Sequence, residues 1–258
     1  MIKKIVIILL FCSYLQGMEK PSASTKKYKR EKEHATLLSL MEAMIVEGNI
    51  NDLLPDGDFK GKTILTAAAA HRAHTDILER ALNANADANK ADGKNNIPLK
   101  IAVYGYHRRA FKLLVLHKAD PKNRGLVQEL CSPWHDTLDK KKAEKRIKML
   151  NALLETGCSA NELDGHENTV LYHLLWAWVP VRRNKFLFKD ISDDKKEVFY
   201  HQRKEMIRSL LKAKLNAAHV NRNGHNAIDN IGEHPHLKDP VLFAFLQAQI
   251  QKTYAVKP

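Results

Sequence analysis

What this 258-residue chain lacks narrows its function first. It has three cysteines, Cys12, Cys131 and Cys158, and no Cys-x-x-Cys pair, so a thiol redox centre or a four-cysteine zinc site has no ligands. No Gly-x-Ser-x-Gly elbow, glycine-rich phosphate loop or His-Glu-x-x-His helix occurs. The common signatures of hydrolases, nucleotide-binding enzymes and zinc peptidases are therefore missing. Glycine (11) and proline (9) are too few for a collagen-like or low-complexity chain. Aromatics are sparse at 7%. The apolar share of 44% against 28% charged is that of a globular chain with a helical lean.

Acidic charge is also short. Against 42 Lys and Arg stand 29 Asp and Glu, a formal net charge of +13. Such a balance favours acidic protein surfaces, phosphates or anionic lipid. Its densest stretches, 26–32 (KKYKREK) and 140–148 (KKKAEKRIK), both contain Glu, which weakens a nucleic-acid reading.

Residues 1–17 read as a signal peptide: Lys3 and Lys4, then an apolar stretch from Ile5 to Leu15, then Gly17 before a cleavage point. The apolar stretch is short of the roughly 20 residues of a membrane span. Export is the expectation, to the cell exterior or envelope. Residues 18–33 (MEKPSASTKKYKREKE) are polar and charged and read as a flexible basic linker. An exported chain can pair Cys131 with Cys158, although nothing in their spacing demands it.

What is present is a period. Asn85-Ala86-Asp87-Ala88-Asn89 matches Lys118-Ala119-Asp120-Pro121-Lys122 at 33 residues, and the helical runs from Asp76 and Arg109 repeat at the same spacing. A further apolar run precedes each, at Leu65–Ala70 and Leu99–Val103. Each unit reads as helix, turn, helix and a polar loop. One such pair buries too little apolar surface to fold alone, and stacking merges the faces into a single core.

These units resemble the ankyrin repeat. Gly61-Lys62-Thr63-Ile64-Leu65-Thr66-Ala67-Ala68, Ile97-Pro98-Leu99-Lys100-Ile101-Ala102 and Tyr106-His107 carry the family pattern, and Gly157-Cys158-Ser159-Ala160-Asn161 echoes its closing stretch. Asp164–Tyr172, Leu210–Asn216 and Asn223–Asp229 reopen and close later units. The resemblance implies an all-α fold, an ankyrin-repeat solenoid of stacked helix-turn-helix units over 34–252. It implies about five degenerate repeats, with insertions near 132–142 and 176–204 and a closing helix over 240–251. Thr63 and Thr169 are placed to cap helices, and Gly61, Gly93, Gly165 and Gly224 to turn the loops. Ile77, Leu78 and Leu82 are expected in the core with Ala110, Phe111, Val115, Leu150, Leu153 and Leu154.

By that resemblance the protein is a non-enzymatic interaction module, with no catalytic, cofactor or metal site. It is expected to act as a monomer and, given its basic charge, to bind a protein with an acidic surface on the concave face of loop tips and first helices. The candidate residues there are Lys90, Lys94, Asn95, Tyr104, Arg124, His166, Tyr172, Arg222 and His225. The insertion adds Trp178, Arg182 and Arg183, because Trp and Arg are frequent binding anchors. A basic surface for nucleic acid or anionic membrane is the alternative. Among 13 histidines, the close pairs His71/His74 and His234/His236 fall short of the three or four ligands of a zinc site.

Overall fold

The computed structural model describes residues 25–55, 57–122, 125–132, 139–176 and 192–227, together with 244, 246–248 and 251. The chain forms two compact units, Met1–Asp120 and Pro121–Pro258. Among the described residues the regular structure is helical, with isolated bridges at Leu163–Thr169 and Val220–Asn226. The helices of the first unit are α1 (Thr25–Glu47), α2 (Ile64–Ala69), α3 (Thr75–Asn83), α4 (Pro98–Tyr104) and α5 (Arg108–Leu116). Those of the second are α6 (Leu126–Cys131), α7 (Lys140–Glu155), α8 (Val170–Trp176) and α9 (Asp193–Lys212).

The packing within each unit is that of a repeat stack. The helices pair as α2 with α3 and α4 with α5, then first helix lies on first helix (α2 on α4) and second on second (α3 on α5). In the second unit α6 pairs with α7 and α8 with α9, while α6 lies on α8 and α7 on α9. Of the short first helices, α2 lies between α1 and α4, and every residue of it is buried. Their alanines, Ala67, Ala68, Ala69 and Ala102, admit close approach. The longer second helices are amphipathic. Ile77, Leu78, Ala81 and Leu82 face inward on α3, and Ala110, Phe111 and Leu114 on α5. Val115 and Leu154, expected in the core, are only half-buried, because the inward positions next to them go to Leu114 and Leu153.

Three boundaries differ from the sequence reading. The chain is already helical from Thr25, inside the stretch expected as linker, because Lys, Arg and Glu are strong helix formers and Leu37, Met41 and Met44 anchor the helix at i, i+4 and i+7. The inserted polar stretch gives way to α7 at Lys140, whose N-cap Asp139 accepts from the Lys142 amide at 2.9 Å. The longer insertion gives way to α9 at Asp193, so 193–204 are helical. Of the expected closing helix, residues 244, 246–248 and 251 are described; they are helical, and Leu246 is buried. Cys131 and Cys158 are both buried as thiols, and Cys158 donates to the Pro121 carbonyl at 3.3 Å.

Side-chain amides tie successive repeats together. Asn89 Oδ1 accepts from Asp120 N at 3.1 Å while its Nδ2 donates to Lys118 O at 3.1 Å. Asn161 repeats the pattern on Asn216 N at 2.6 Å and Lys214 O at 3.1 Å, and Asn51 Oδ1 accepts from Asp87 N at 2.7 Å. Each loop also folds on an acidic or amide residue. Asp92 accepts from Lys94 N and Asn96 N, Asp164 from His166 N and Asn168 N, and Asn221 from Asn223 N and His225 N. Three residues past that anchor the backbone takes positive φ, at Asn95, Glu167 and Gly224, in register with Gly61. Gly93 and Gly165, expected to supply this turn, sit one residue after the anchor, where φ is not positive. Thr63 and Thr169 cap their helices as expected, accepting from Thr66 N at 3.1 Å and Tyr172 N at 3.4 Å.

The second helices share a fixed register that the insertions leave intact. Each ends on a left-handed residue, Asn85, Lys118, Gly157 or Lys214, and eleven residues earlier stand His74, His107, Arg146 and Arg203 respectively. In the repeats with short turns the backbone itself caps the first helix: Tyr106 N reaches Val103 O at 3.0 Å and His107 N reaches Ala102 O at 2.9 Å. The His107 ring fits there only because Gly105 has no Cβ, which would lie 2.1 Å from His107 Cδ2. Where the inter-helix connection is lengthened, an arginine does the same work. Arg146, 0% exposed, donates to Leu130 O at 2.7 Å, at the end of α6, and to Ser132 O at 2.8 Å, on the residue just past it. Arg203, also 0% exposed, donates to Leu174 O near the end of α8 and lies 4.5 Å from the Phe199 ring centroid. These are buried cations whose hydrogen bonds go to helix C-terminal carbonyls, where the helix dipole favours positive charge.

Two predictions follow from register. Lys118→Gly and Lys214→Gly each remove the cost of a Cβ in the left-handed region, and urea denaturation is expected to show a gain of about 0.5–1 kcal/mol for each. Arg203→Ala strands a helix-end carbonyl and empties a packed site, at a cost of about 3 kcal/mol, whereas Arg203→Lys recovers only part of it because one ammonium cannot both stack and cap.

Candidate functional site

In the first unit the sequence-derived candidates gather on the loop tip and first helix of one repeat. Lys90, Lys94 and Asn95 are exposed on the loop that runs from α3 to α4. The loop is held from within, because Asp92 accepts from Lys94 N at 2.9 Å and donates its own N–H to Asn96 O at 2.9 Å. It is held from the preceding repeat by Gly93 N donating to Gly61 O at 2.7 Å. Tyr104 is half-buried on α4, and Lys100 Nζ lies 5.3 Å from its ring centroid. That cation–π contact sets an ammonium and a rigid aromatic side by side on a short helix whose other faces are packed.

In the second unit His166 and Arg222 are brought together, and His225 shares their loop layer. Arg222 N reaches His166 O at 3.5 Å, and Asn221 Nδ2 donates to Asn168 Oδ1 at 2.9 Å. The Arg222 guanidinium pairs with Glu167 at 3.3 Å, and His219 Nε2 is 2.9 Å from Glu167 O. Tyr172 is half-buried on α8, edge-on to His173 with ring centroids 6.1 Å apart. Burial and the nearby Asp164 carboxylate push its phenol above the usual range.

Asp164 and His173 are a pair the sequence reading missed, 2.9 Å apart and both half-buried. Burial alone would raise the Asp164 carboxyl. The Asn168 side chain, the Asn168 and His166 amides and His173 outweigh it and hold the group below the usual carboxylate range. The signal was present in sequence as Asp-Gly at the loop anchor and a histidine nine residues on. The pair fixes a loop to a first helix. Arg124, Trp178, Arg182, Arg183 and the His234/His236 pair lie outside the described residues.

The histidines near residue 70 form a trio through His34, which the sequence reading did not include. His74 is 0% exposed; its ring centroid lies 5.3 Å from His34 and 5.4 Å from His71. Both His74 ring nitrogens lack a hydrogen-bond partner, and His34 pairs with Asp76 at 3.4 Å. The buried histidine at the inter-helix turn is His74, in register with His107, while His71 is exposed. Among the described residues no group of three or more His, Cys, Asp or Glu side chains converges on a metal position. Burial, then the charges of His71 and His34, lower the His74 pKa below 6.5 against the opposing pull of Glu33 and Asp76.

A base depressed in the folded state contributes its full stability above the unfolded value and loses it as pH falls. The first unit is therefore expected to keep constant stability above about pH 7 and to weaken as pH falls through about 6.5. Denaturation at a series of pH values checks this, and His74→Leu is expected to flatten that part of the slope whatever it does to the midpoint.

No protein-family model matches the chain, and no curated protein is significantly similar to it in sequence. Solved structures are similar in fold. An ankyrin repeat domain from Acinetobacter baumannii AYE superposes with a TM-score of 0.55 at 14% identity, covering 84% of this chain and 96% of that one. The human ASB11 ankyrin repeat domain gives 0.45 at 17% identity over 85% of this chain and 96% of its own. The ankyrin repeat domain of Bcl-3 gives 0.47 at 16%, over 76% and 75%. With the paired helices, the amide staples and the shared register, the first of these likenesses leads to one conclusion about architecture: the chain folds as an all-α ankyrin-repeat solenoid.

Proposed function

We propose that the protein is a non-enzymatic binding module that takes a protein with an acidic surface on its loop tips and first helices. The observation that carries this reading is the half-buried Tyr104 with the Lys100 ammonium 5.3 Å from its ring centroid, next to a loop that exposes Lys90, Lys94 and Asn95. An aromatic held rigid by packing loses little entropy on binding, and the flanking cations give orientation and on-rate against an acidic surface. The loop's own hydrogen bonds, Lys94 N and Asn96 N to Asp92, fix its shape before a partner arrives. In the second unit His166, Arg222 and His225 extend the same chemistry. The charge–apolar–small order of residues 1–17 supports export as the setting.

The net charge of +13 favours a second reading, in which a basic face binds polyanions without sequence choice. Salt and nuclease separate the two. Affinity capture with residues 18–258 as bait is expected to retain a discrete protein after nuclease and a high-salt wash. The joint variant Lys94→Ala, Lys100→Ala, Tyr104→Ala is expected to weaken that binding by at least about tenfold while the chain stays folded, with a modest fall in the unfolding midpoint from trimming the half-buried Tyr104. Material that is nuclease-sensitive and salt-labile throughout would replace this reading with the polyanion one.

A further inference from the structure

The second helices carry a position whose chemistry changes in one repeat. Two residues before the left-handed terminus stand Asn83 on α3, Glu155 on α7 and Lys212 on α9, all polar as an outward-facing site requires. On α5 the same position is Leu116, 75% exposed. Three residues earlier, where α3 has Arg80, α7 the buried Ala152 and α9 Ser209, α5 has the half-buried Leu113. Val46 near the end of α1 is also exposed, at 78%, but its neighbours Glu42 and Glu47 are acidic. Around Leu113 and Leu116 the flanking residues are instead Arg108, Arg109 and Lys112. These five side chains line a hollow of about 330 Å³ on the outer side of α5. Arg109 forms its edge towards α3, where it pairs with Glu79 at 3.6 Å.

The rows are set by helical geometry. Arg109, Leu113 and Leu116 follow i, i+4, i+7 and form one stripe, with Arg108 and Lys112 as a parallel row beside it. The stripe is about two turns long, roughly 11 Å. An exposed apolar strip rimmed by charge of one sign marks a docking surface when nothing in the fold requires it. Three occupants compete. A second copy would set Arg108, Arg109 and Lys112 against their own equivalents, a like-charge juxtaposition that opposes association. A membrane needs a broad apolar face, and two leucines in a concave hollow do not provide one. A helix with leucine-type residues on one face and carboxylates flanking them satisfies both the apolar stripe and the cationic row.

We propose that the outer face of α5 is a second docking surface, apart from the first-helix face, for an acidic amphipathic helical segment of a partner protein. Its apolar residues seat against Leu113 and Leu116, and its carboxylates pair with Arg108, Lys112 and the exposed edge of Arg109.

The test uses the full chain and a synthetic peptide of roughly 15 residues with leucines at i, i+3, i+4 and i+7 and glutamates beside them. Titration calorimetry at low salt is expected to give a Kd on the order of 10–100 μM, weakening as salt rises. Leu116→Asn, which installs the residue of the α3 register, is expected to weaken binding by roughly tenfold with an unchanged unfolding midpoint, since Leu116 is mostly exposed. Arg108→Glu with Lys112→Glu is expected to lose the acidic peptide and gain its lysine-bearing counterpart. The Lys94, Lys100, Tyr104 alanine variant is expected to bind the peptide as the parent does, which separates this surface from the first-helix face. Equal affinity for Leu116→Asn and the parent overturns the proposal. So does sedimentation with phosphatidylserine vesicles that Leu116→Asn abolishes while no peptide binds, which would assign the face to membrane. Concentration-dependent dimers abolished by Leu116→Asn, without peptide binding, would assign it to a second copy and overturn it equally.

Discussion

The amide of Asn89 accepts from one backbone N–H of the following loop and donates to one of its carbonyls, and Asn161 does the same in the second unit. These contacts meet a constraint on which the stack depends. Helices can merge their apolar faces only if the loops between them come close together, and loops held close bring backbone groups out of water. A planar side chain with one acceptor and two donors, projecting from the preceding repeat, satisfies two such groups at once. The contact also fixes the spacing from one repeat to the next, so the order of the helices and the register of the loops follow from it. Within a loop, Asp92, Asp164 and Asn221 do the local part of the same task.

The inter-helix turns show how the fold absorbs insertion. A tight turn closes α4 with its own amides and tucks a histidine ring against a glycine. Where the connection is longer, further carbonyls at and just past the end of the first helix still need donors. Arg146 and Arg203 supply the hydrogen bonds from the other direction, reaching in from the second helix. Burying a cation is costly in general. It is tolerable here because helix C-terminal carbonyls already present a partial negative charge and, at Arg203, the Phe199 ring provides a second favourable contact. The two insertions thus leave the second helices in register with those of the uninterrupted repeats.

This division of labour leaves other surfaces open to partners. Buried first helices present only a few side chains, such as Lys100 and Tyr104, and rigid loops display exposed ones beside them. Those residues were found in sequence because the repeat pattern says which positions point outward. Leu116 was not singled out, since one leucine in a leucine-rich helix looks like core until the register of neighbouring repeats shows that its position is an exposed one. His34 was missed for a different reason: it lies some forty residues from His71 and His74, and only the packing of α1 brings its ring against theirs.

By itself the sequence determined the period, the helix-turn-helix unit, the capping threonines and the loops, because these depend on residues within about ten positions of each other. Their signals are local: alternation of apolar faces, Asp-Gly or Asn at turns, and Thr before a helix. Tertiary structure decided what depends on distance. It turned two of the 42 basic residues, Arg146 and Arg203, from apparent surface charge into buried caps, and it moved the required positive φ from Gly93 and Gly165 to Asn95 and Glu167. It also sealed His74 while leaving His71, three residues before it, exposed. In each case the side chain's role is set by which backbone groups or rings the neighbouring repeat brings within hydrogen-bonding or packing range, and spacing along a single repeat does not encode that.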